Sequence, residues 1–397
     1  MKPANTPNTP VRVMHIGKYF PPDPGGMETY LKDLMVCTQK MGTTSAALVH
    51  QSKLGLRSEE EHYQSQGITL GVTRVATWLR ALFTPISPSF PWALNRMIRE
   101  HRPQILHMHL PNPSAFWALL IPAARRLPWV IHWQSDVLTP KSSWIIRLCY
   151  LAYKPFESAL LKRADRIIAT SPQYLASSRT LAPFRGKCCV IALGIADRFG
   201  KQVTEKTETR SDGPLRVLAI GRLAHYKGFD VLLRAIAHTD HTELDIVGSG
   251  EQIGKLTSLS ESLGLAHRVR FHGAVSDKDR DNLISACDCL CLPSIDRTES
   301  FGIALLEAMS AGKACVISEV PGSGMTAVVE ADKTGLVVPP GDYVALAEAF
   351  DWLTQHRHEL VQMGGLGRTK FETELTIDVS AARVIGVYDE VQRAPQC

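Results

Sequence analysis

Short apolar runs alternate with longer amphipathic segments along most of the chain. The first run, VRVMHIG at 11–17, ends in a glycine-rich turn, and the segment after it repeats apolar residues at helical spacing. Further apolar runs occur at 104–109, 129–132 and 166–170, each separated from the next by room for a helix. This alternation predicts a parallel, doubly wound α/β sheet.

The pattern breaks once and then restarts. Residues 197–214 are rich in charge and nearly free of large apolar side chains, which predicts a linker. The runs LRVLAIG, LDIVG, VRFHG, CDCLCLPS, ACVIS and GLVVPP follow, with helical segments between them. We therefore predict two domains, 11–196 and 215–377, after a flexible leader at 1–10. A helical segment at 378–397 ends the chain, with a return to the first domain as one option.

Composition fits this division. A length of 397 residues exceeds what one core usually supports, and 45% apolar with 21% charged residues is ordinary for folded proteins. No run approaches the roughly 18–20 apolar residues of a membrane span, and the start shows no signal peptide, so we expect a cytoplasmic protein. The nine cysteines are expected to be reduced, with Cys287, Cys289 and Cys291 on one face of a strand and no zinc site.

The net charge of +5 hides an asymmetry. Residues 1–195 carry 23 Lys and Arg against 10 Asp and Glu, a net of +13, whereas the remainder carries 21 against 29, a net of −8. A basic first half indicates contact with something anionic, such as phospholipid or a pyrophosphate-linked acceptor. Nucleic acid is not among the expected partners, and the oligomeric state is left open.

The segment RTESFGIALLEAMSAGK is the most informative in the chain. Glu299 and Glu307 are eight positions apart, so a continuous helix would place them about two turns apart and pointing to different parts of one ligand. Glu299 precedes the turn at Phe301, Gly302 and Ile303, near a helix N-terminus, where free backbone N–H groups favour an anion. This arrangement suits a diphosphate whose attached hydroxyls are bound by carboxylates.

Cations and glycines occur in the loops upstream. Arg222 and Lys227 follow a predicted strand, beside Gly221, and suit the stabilisation of a departing diphosphate. Gly248 and Gly250 follow the next strand. A dinucleotide-binding interpretation fails there because the third glycine is out of register and no acidic residue ends the strand after it.

These motifs resemble those of the retaining family-4 glycosyltransferases of GT-B fold, which carry E-x-F-G-x-x-x-x-E-A-M-A-x-G and G-R-L-x-x-x-K-G signatures. The resemblance covers essentially the whole chain and implies two Rossmann-like domains facing across a donor-binding cleft. It implies that Arg222 and Lys227 grip the nucleotide diphosphate, without a metal or other cofactor. It also implies that Glu299 contacts the donor sugar and Glu307 the ribose, and that the backbone near His272 and Gly273 lies against the base.

The first half carries weaker signals. Gly25, Gly26 and Glu28 match a family G-G-x-E at the first strand–helix junction, whose loop meets the donor diphosphate and the acceptor. In VIHWQSDV, family members have a histidine where this chain has Gln134. Either Gln134 replaces that histidine or His132, on the same strand face, reaches the site. Asp136 is a candidate to orient the acceptor or a neighbouring side chain.

Two further features of the first half stay open at this point. His107 and His109 share a strand face and could pair on a metal, but the sequence places no third ligand beside them. The aromatic and basic residues at 78–99 and 142–165 suit either helices lying on an anionic membrane or helices packing on their own core.

The motifs together predict a retaining hexosyltransferase. We expect it to move a hexose, mannose among the candidates, from a UDP- or GDP-linked donor to a lipid-linked or polysaccharide acceptor at the inner face of the membrane. Two alternatives remain at this stage: a nucleotide-sugar epimerase of related architecture and a non-catalytic sugar-nucleotide-binding protein.

Overall fold

The computed structural model describes residues 10–23, 25–81, 84–137, 144–200 and 213–393. Most of the expected leader and linker, and residues 394–397 of the terminal segment, lie outside the described residues. The chain divides into two compact units. Unit 1 contains the chain up to Thr170, Ser178–Ala192 and the segment from Ile377 onward, and unit 2 contains Ser171–Ser177 and Leu193–Thr376.

The strands and helices of unit 1 alternate over most of its length. The strands are β1 (Arg12–Ile16), β2 (Thr44–Leu54), β3 (Glu59–Ser65), β4 (Ile68–Thr77), β5 (Leu79–Ala81), β6 (Thr84–Ile86), β7 (Ile105–Leu110), β8 (Trp129–Trp133), β9 (Arg166–Ala169) and β10 (Cys188–Val190). The helices are α1 (Gly26–Lys40), α2 (Phe90–His101), α3 (Pro122–Arg125), α4 (Trp144–Arg163) and, at the end of the chain, α13 (Ile377–Arg393).

The main sheet of unit 1 has eight strands in the order β10-β9-β8-β7-β1-β2-β4-β3. All neighbours are parallel except β3, which pairs antiparallel with β4 at the edge. The central strands are continuous apolar runs because both faces of a parallel sheet are covered, and all six residues of β7 are buried. The predicted runs at 11–17, 104–109, 129–132 and 166–170 are confirmed as β1, β7, β8 and β9.

Unit 2 repeats the alternation with shorter connections. Its strands are β11 (Leu215–Ile220), β12 (Thr242–Val247), β13 (Val269–Gly273), β14 (Cys289–Leu292), β15 (Ala314–Ser318) and β16 (Gly335–Val338). Its helices are α5 (Pro172–Ser177), α6 (Phe229–Ala237), α7 (Ile253–Ser262), α8 (Asp277–Ala286), α9 (Ile303–Ser310), α10 (Met325–Val328), α11 (Tyr343–Gln355) and α12 (Arg357–Lys370).

The sheet of unit 2 is fully parallel, in the order β13-β12-β11-β14-β15-β16. This is the 3-2-1-4-5-6 arrangement of dinucleotide-binding folds, whose strand order reverses between the first and fourth strands, here β11 and β14. Two of its helices, α8 and α11, begin at a residue whose side chain caps the helix N-terminus. Ser276 accepts a hydrogen bond from the Asp279 backbone N–H, and Asp342 accepts two from the first turn of α11.

One expectation about the cysteines is wrong. Strand β14 begins at Cys289, so Cys287 lies before it. Cys289 and Cys291 pack in the main core of unit 2, whereas Cys287 packs with Leu218 and Ile284 in a separate cluster. The three side chains therefore do not share a face. Burial raises the pKa of each of these thiols, which keeps them protonated.

None of the helices in the described part of the chain has the length and apolar character required to cross a bilayer. This includes the 20-residue α4, which combines apolar and basic residues.

Candidate functional site

The predicted donor residues of unit 2 lie at the carboxyl edge of its sheet. The loops after neighbouring strands bond to one another there: the Gly248 N–H donates to the Gly273 carbonyl at 2.8 Å, and the Ile295 N–H donates to the Tyr226 carbonyl at 2.8 Å. The first bond joins the ends of β12 and β13, and the second joins the loops after β11 and β14. The edge where the strand order reverses is where such sheets bind ligands.

Close backbone approach explains the glycines of this edge. Gly248 has φ +136°, and a Cβ built on it would lie 1.9 Å from the Gly221 carbonyl oxygen. A Cβ on Gly250 would lie 2.4 Å from the Leu223 carbonyl oxygen. No side chain fits at either position, so Gly248 and Gly250 bring the β12 loop against the β11 loop and leave backbone at the surface of the edge.

A buried ion pair occupies the point where the order reverses. The ammonium group of Lys227, in the short helical turn after β11, contacts the carboxylate of Glu299 in the loop after β14. Ser294 donates a hydrogen bond to the same carboxylate at 3.4 Å. Burial opposes the charge on Lys227, but Glu299 offsets that cost, and the pKa of Lys227 is raised above its ordinary value. The lysine is therefore charged when this site meets an anion.

Arg222 belongs to the same constellation. Its guanidinium carbon lies 5.9 Å from the centre of the Tyr226 ring, and the Lys227 nitrogen lies 5.7 Å from it. Two cations therefore share one aromatic ring at the strand end. Arg222 is exposed, whereas the Lys227 side chain is only 11% exposed, so the two present charge at different depths of the edge.

Glu307 has a separate set of partners. Its Oε1 atom accepts a hydrogen bond from the Arg198 guanidinium at 2.7 Å and lies 3.5 Å from Nε of Arg280 on α8. Helix α9 begins at Ile303, so Glu299 lies in the preceding loop and no continuous helix links the two glutamates. Glu299 and Glu307 thus belong to two different charge clusters. Sequence reasoning missed Arg198 and Arg280, which lie far from the Glu307 motif in the chain.

The remaining donor-side predictions lie around these clusters. Phe301 is buried, so only its backbone is available, and Gly302 has φ +86° and leads into α9 at Ile303. His272 is an exposed residue next to the end of β13, and its ring pairs with Asp245 at 2.6 Å. Gly273, with φ +66°, has open space where a side chain would be.

In unit 1 the strand order reverses between β1 and β7, and a small cavity lies there. It is lined by Gly17, Lys18, Tyr19, Met27, Glu28, Leu31, His109, Pro111 and Gln134. Gly26 starts α1, and the Glu28 carboxylate folds back against Gly25, where a Cβ would lie 2.0 Å from it. Burial raises the pKa of Glu28, although a backbone hydrogen bond and Lys18 act in the opposite direction.

The structure separates His132 from Gln134. His132 is fully buried in β8, and neither ring nitrogen has a hydrogen-bond partner. Gln134 is also buried, lines the cavity, and has no partner for its amide oxygen or nitrogen. Of the two alternatives, the geometry therefore favours Gln134 as the residue that meets a ligand. Asp136 accepts hydrogen bonds from Trp133 Nε1 at 2.9 Å and from the Ser178 hydroxyl at 2.8 Å.

His132 belongs to a cluster of four buried histidines. His15 on β1 lies opposite His107 on β7, and His15 Nδ1 lies 3.2 Å from His109 Nε2. His132 stacks on His107 and His109, with ring centres 5.6 and 5.5 Å apart. Burial lowers the pKa of His15 and of His132 to about 3, so these rings are neutral. The sequence suggested no third histidine beside His107 and His109, because His15 is about ninety residues away.

The chain has two Rossmann-like units. One of them carries paired cations and carboxylates at its switch point, the place where the strand order reverses. These features define the GT-B class of sugar-nucleotide-dependent transferases. Comparison with solved structures agrees with this class. The chain superposes on sucrose-phosphate synthase from Thermosynechococcus elongatus with a TM-score of 0.77, at 21% identity, covering 97% of this chain and 100% of that one. It also superposes on Anabaena Alr3699/HepE in complex with UDP-glucose, with a TM-score of 0.69 at 18% identity, covering 96% and 99%.

Family comparison gives the narrower result. Residues 201–369 match the description "Glycosyl transferases group 1", and residues 25–194 match "Glycosyl transferase 4-like domain". The chain therefore belongs to the group 1 glycosyltransferase family. Two similar relatives are D-rhamnosyltransferase WbpZ of Pseudomonas aeruginosa, 28% identical over 92% of each chain, and O-antigen chain mannosyltransferase C of Escherichia coli, 28% identical over 95% of this chain and 98% of that one.

A third relative is a GDP-mannose-dependent alpha-(1-6)-phosphatidylinositol monomannoside mannosyltransferase of Mycobacterium tuberculosis. It is 26% identical over 94% of this chain and 97% of its own.

Proposed function

We propose that this protein is a retaining hexosyltransferase of cell-surface glycan biosynthesis that uses a nucleoside diphosphate sugar as donor. The observation that carries the proposal is the buried contact of Lys227 with Glu299 at the switch point of unit 2, beside Arg222. Cations that neutralise a leaving diphosphate and a carboxylate that binds sugar hydroxyls are the two requirements of such a donor site. The glycosyltransferase relatives act on O-antigen chains and lipid-linked mannosides, which supports a glycan acceptor of this kind.

The proposed division of labour follows the two charge clusters. Arg222 and Lys227 bind the diphosphate and stabilise the charge that develops as the glycosidic bond breaks. Glu299 accepts hydrogen bonds from sugar hydroxyls, and Glu307 accepts them from the ribose. The backbone at Gly248 and Gly273 faces the nucleotide. Because two side-chain cations neutralise the diphosphate, transfer proceeds without Mg²⁺ or Mn²⁺.

Retention without a protein nucleophile is part of the proposal. Glu299, the carboxylate at the switch point, is paired with Lys227 and hydrogen-bonded to Ser294, which suits it to holding hydroxyls rather than attacking carbon. The acceptor hydroxyl would then attack from the face that the diphosphate leaves. On the acceptor side, the Gly25–Gly26 turn and the cavity lined by Glu28 and Gln134 supply the polar groups of unit 1.

We also propose that the enzyme works at the cytoplasmic face of a membrane and docks there through unit 1. Helix α4 exposes large apolar side chains over most of its first three turns, with Trp144 73% exposed and Phe156 51% exposed. Arg147 and Lys154 are exposed on the same stretch. Trp78 and Trp92, in the second aromatic-basic segment, are exposed as well. Apolar anchors beside basic residues, in a chain half of net charge +13, suit an anionic lipid surface.

A panel of nucleoside diphosphates tests the donor assignment. UDP, GDP and ADP are each added to the purified full-length protein, and the unfolding temperature is recorded. The relatives lead us to expect stabilisation by UDP or GDP, with the preferred base shown by the larger shift. Lys227→Ala and Arg222→Ala should remove most of that shift.

Turnover is then followed as release of the preferred diphosphate from its hexose conjugate, with a bacterial glycolipid extract as acceptor. Each of the two alanine variants should lower turnover by about a hundredfold or more, because each removes one preorganised charge. EDTA should leave the rate unchanged, and NMR of the product should show the anomeric configuration of the donor. Loss of activity on chelation that Mg²⁺ or Mn²⁺ restores, or an inverted product, would contradict the mechanism.

A further inference from the structure

The histidine cluster belongs to unit 1, whereas the cations and carboxylates proposed to bind the donor belong to unit 2. His15, His107 and His109 come from two neighbouring strands, and one ligand nitrogen from each lies within 4.8 Å of the other two. We propose that these three histidines bind one transition-metal ion of the Zn²⁺ type, as a structural site within unit 1.

The spacing of the nitrogens supports this assignment. Tetrahedral Zn²⁺ with bonds of about 2.0–2.1 Å holds its ligand nitrogens about 3.3 Å apart. His15 Nδ1 and His109 Nε2 are already 3.2 Å apart because they share a hydrogen bond, which the ion would replace. The His107 ligand nitrogen lies within 4.8 Å of the other two, so it must approach them by at most about 1.5 Å to complete the site.

The His107 ring is also oriented as a metal ligand is. His107 Nδ1 is hydrogen-bonded to the Tyr388 hydroxyl at 2.7 Å, which leaves Nε2 as its ligand atom. A histidine that binds a metal through one nitrogen is usually held at the other by such a partner.

Unsatisfied polar atoms strengthen the case. Within the described residues, His15 Nε2, His107 Nε2 and His109 Nδ1 are buried and lack hydrogen-bond partners. Each unsatisfied buried polar atom costs about 1–3 kcal/mol. A metal ion would remove this cost for His107 Nε2, the one of these three atoms that would bind it.

The ligand set selects the class of ion, and the cavity provides a route to it. Imidazole nitrogens favour Zn²⁺ and its neighbours over Mg²⁺ or Ca²⁺, which prefer oxygen. His109 lines the small cavity together with Glu28, so an ion can reach the cluster from the switch point and has a carboxylate in the same cavity. The proposed transfer relies on the side-chain cations of unit 2 and does not depend on this ion.

Zinc binding to the tag-free full-length protein tests the proposal. After dialysis against a chelator, we expect one Zn²⁺ per chain by calorimetric titration. Co²⁺ in its place should give the intense visible absorption of a tetrahedral site. His15→Gln should abolish both signals, and Tyr388→Phe, which keeps the ring but removes the partner of His107, should weaken binding about tenfold to a hundredfold.

His50→Gln is the matched control, because His50 is also buried in unit 1 but bonds to Ser87 outside the cluster. It should bind Zn²⁺ like the wild type. Stabilisation by the preferred nucleoside diphosphate shows that unit 2 is folded in each variant, and circular dichroism shows the same for unit 1. Absence of stoichiometric Zn²⁺ binding, or equal binding by wild type and the folded Tyr388→Phe and His15→Gln variants, would overturn the proposal.

Discussion

Glu299 and Glu307 are close in sequence but have different electrostatic partners. Glu299 contacts Lys227, whereas Glu307 is held through one carboxylate oxygen by Arg198 and Arg280. The two arginines leave the second oxygen of Glu307 for a ligand. In the proposed complex, Glu299 binds a sugar hydroxyl and Glu307 binds a ribose hydroxyl. Substituting one glutamate should therefore remove its own hydrogen bond and leave the other in place.

Substitution of each glutamate should separate these roles. Glu307→Gln is expected to weaken both the donor and the free nucleoside diphosphate by about tenfold to a hundredfold, since a hydrogen bond to a charged group contributes about 1.5–3 kcal/mol. Glu299→Gln should leave the affinity for the free diphosphate within a few-fold of wild type and lower turnover instead. Titration calorimetry and turnover assays measure both quantities, with exposed Glu348→Gln as the control. Equal losses of diphosphate affinity in the two variants would remove the division of roles.

The site residues that were predictable lie in short continuous motifs, as Arg222 with Lys227 and Glu299 with Glu307 do. The motifs did not reveal the partners. Arg198 lies at the start of the segment predicted to be a linker, and His15 becomes a neighbour of His107 only through the pairing of β1 with β7. Such contacts depend on strand order, which local spacing does not encode.

At the scale of elements, the sequence of α4 fitted two alternatives, a helix on an anionic membrane and a helix packed on the core. An aromatic face packed on the core would bury Trp144 and Phe156, yet both are more than half exposed. The structure also separates the basic residues of this region. Arg163 donates hydrogen bonds to the Arg125 and Leu127 carbonyls and lies over the Trp129 ring. Its substitution would therefore disturb the structure of unit 1 itself. Arg147 and Lys154 are the better residues to change in a membrane-binding test.

Vesicle co-sedimentation should detect α4 docking. Wild-type protein is expected to bind anionic vesicles, to bind neutral vesicles weakly, and to be released as salt shortens the Debye length below about 10 Å. Arg147→Gln with Lys154→Gln should reduce the bound fraction, since each basic residue contributes about 1 kcal/mol near anionic lipid. The control pair Arg234→Gln with Lys278→Gln, exposed in unit 2, makes the same charge change. Equal loss in both pairs, or no binding by the wild type, would rule out docking by α4.

Helix α4 also carries a buried acid that should respond to pH. Glu157 accepts a hydrogen bond from the Tyr150 hydroxyl at 2.5 Å, and burial raises the pKa of Glu157 to about 7 from its ordinary 4.5. The Tyr150 hydrogen bond and Lys154 act to lower it, and Asp136 to raise it. Between pH 4.5 and 7 the folded state therefore binds more protons than the unfolded state, and the stability due to Glu157 falls as pH rises.

Comparison with Glu157→Gln isolates this effect. The wild type should lose up to about 1.4 kcal/mol of unfolding free energy per pH unit relative to the variant across that window, as measured by urea unfolding. Tyr150→Phe should extend this pH range to higher pH, because it removes the hydrogen bond that lowers the pKa of Glu157. A stability difference between wild type and Glu157→Gln that does not change with pH would show that Glu157 is already ionised throughout.

At the scale of the whole molecule, the last helix of the chain belongs to the first unit. Helix α13 packs against α1, Tyr30 is hydrogen-bonded to Ser380 at 3.0 Å, and Tyr388 reaches His107. Arg166 on β9 forms an ion pair with Glu390. Unit 1 therefore depends on residues that follow all of unit 2 in sequence.

Truncation after Thr376 should separate the two units in stability. Unit 1 loses the buried side chains of α13, including Tyr388, whose removal alone is comparable to an aromatic truncation of about 3–5 kcal/mol. Unit 2 keeps its sheet and should still be stabilised by its nucleoside diphosphate. Limited proteolysis of unit 1 and nucleotide-dependent melting of unit 2 report on each, and a chain ending at Arg393 is the control. Loss of nucleotide-dependent stabilisation in the truncated chain would contradict this independence.

Much of the architecture was predictable because buried parallel strands are continuous apolar runs. Region 44–77 was not, since β3 is an exposed, polar antiparallel edge strand with the sequence EEEHYQS. The assignment of Ser171–Ser177 to unit 2 was also missed, because this short segment has no pattern that distinguishes it from the strands and helices beside it.

The position of α13 has a consequence for the order in which the protein acquires its structure during translation. When the strands of unit 1 leave the ribosome, the helix that packs on α1 and β8 has not yet been made. Translation at about 5–20 residues per second leaves an interval of the order of ten to forty seconds while unit 2 is produced. Unit 2, which is nearly continuous in sequence, can complete its core during that interval. Until α13 is synthesised, the apolar surface of α1 stays exposed in the nascent first unit. This unit is therefore the part of the chain that we most expect to bind a chaperone during synthesis.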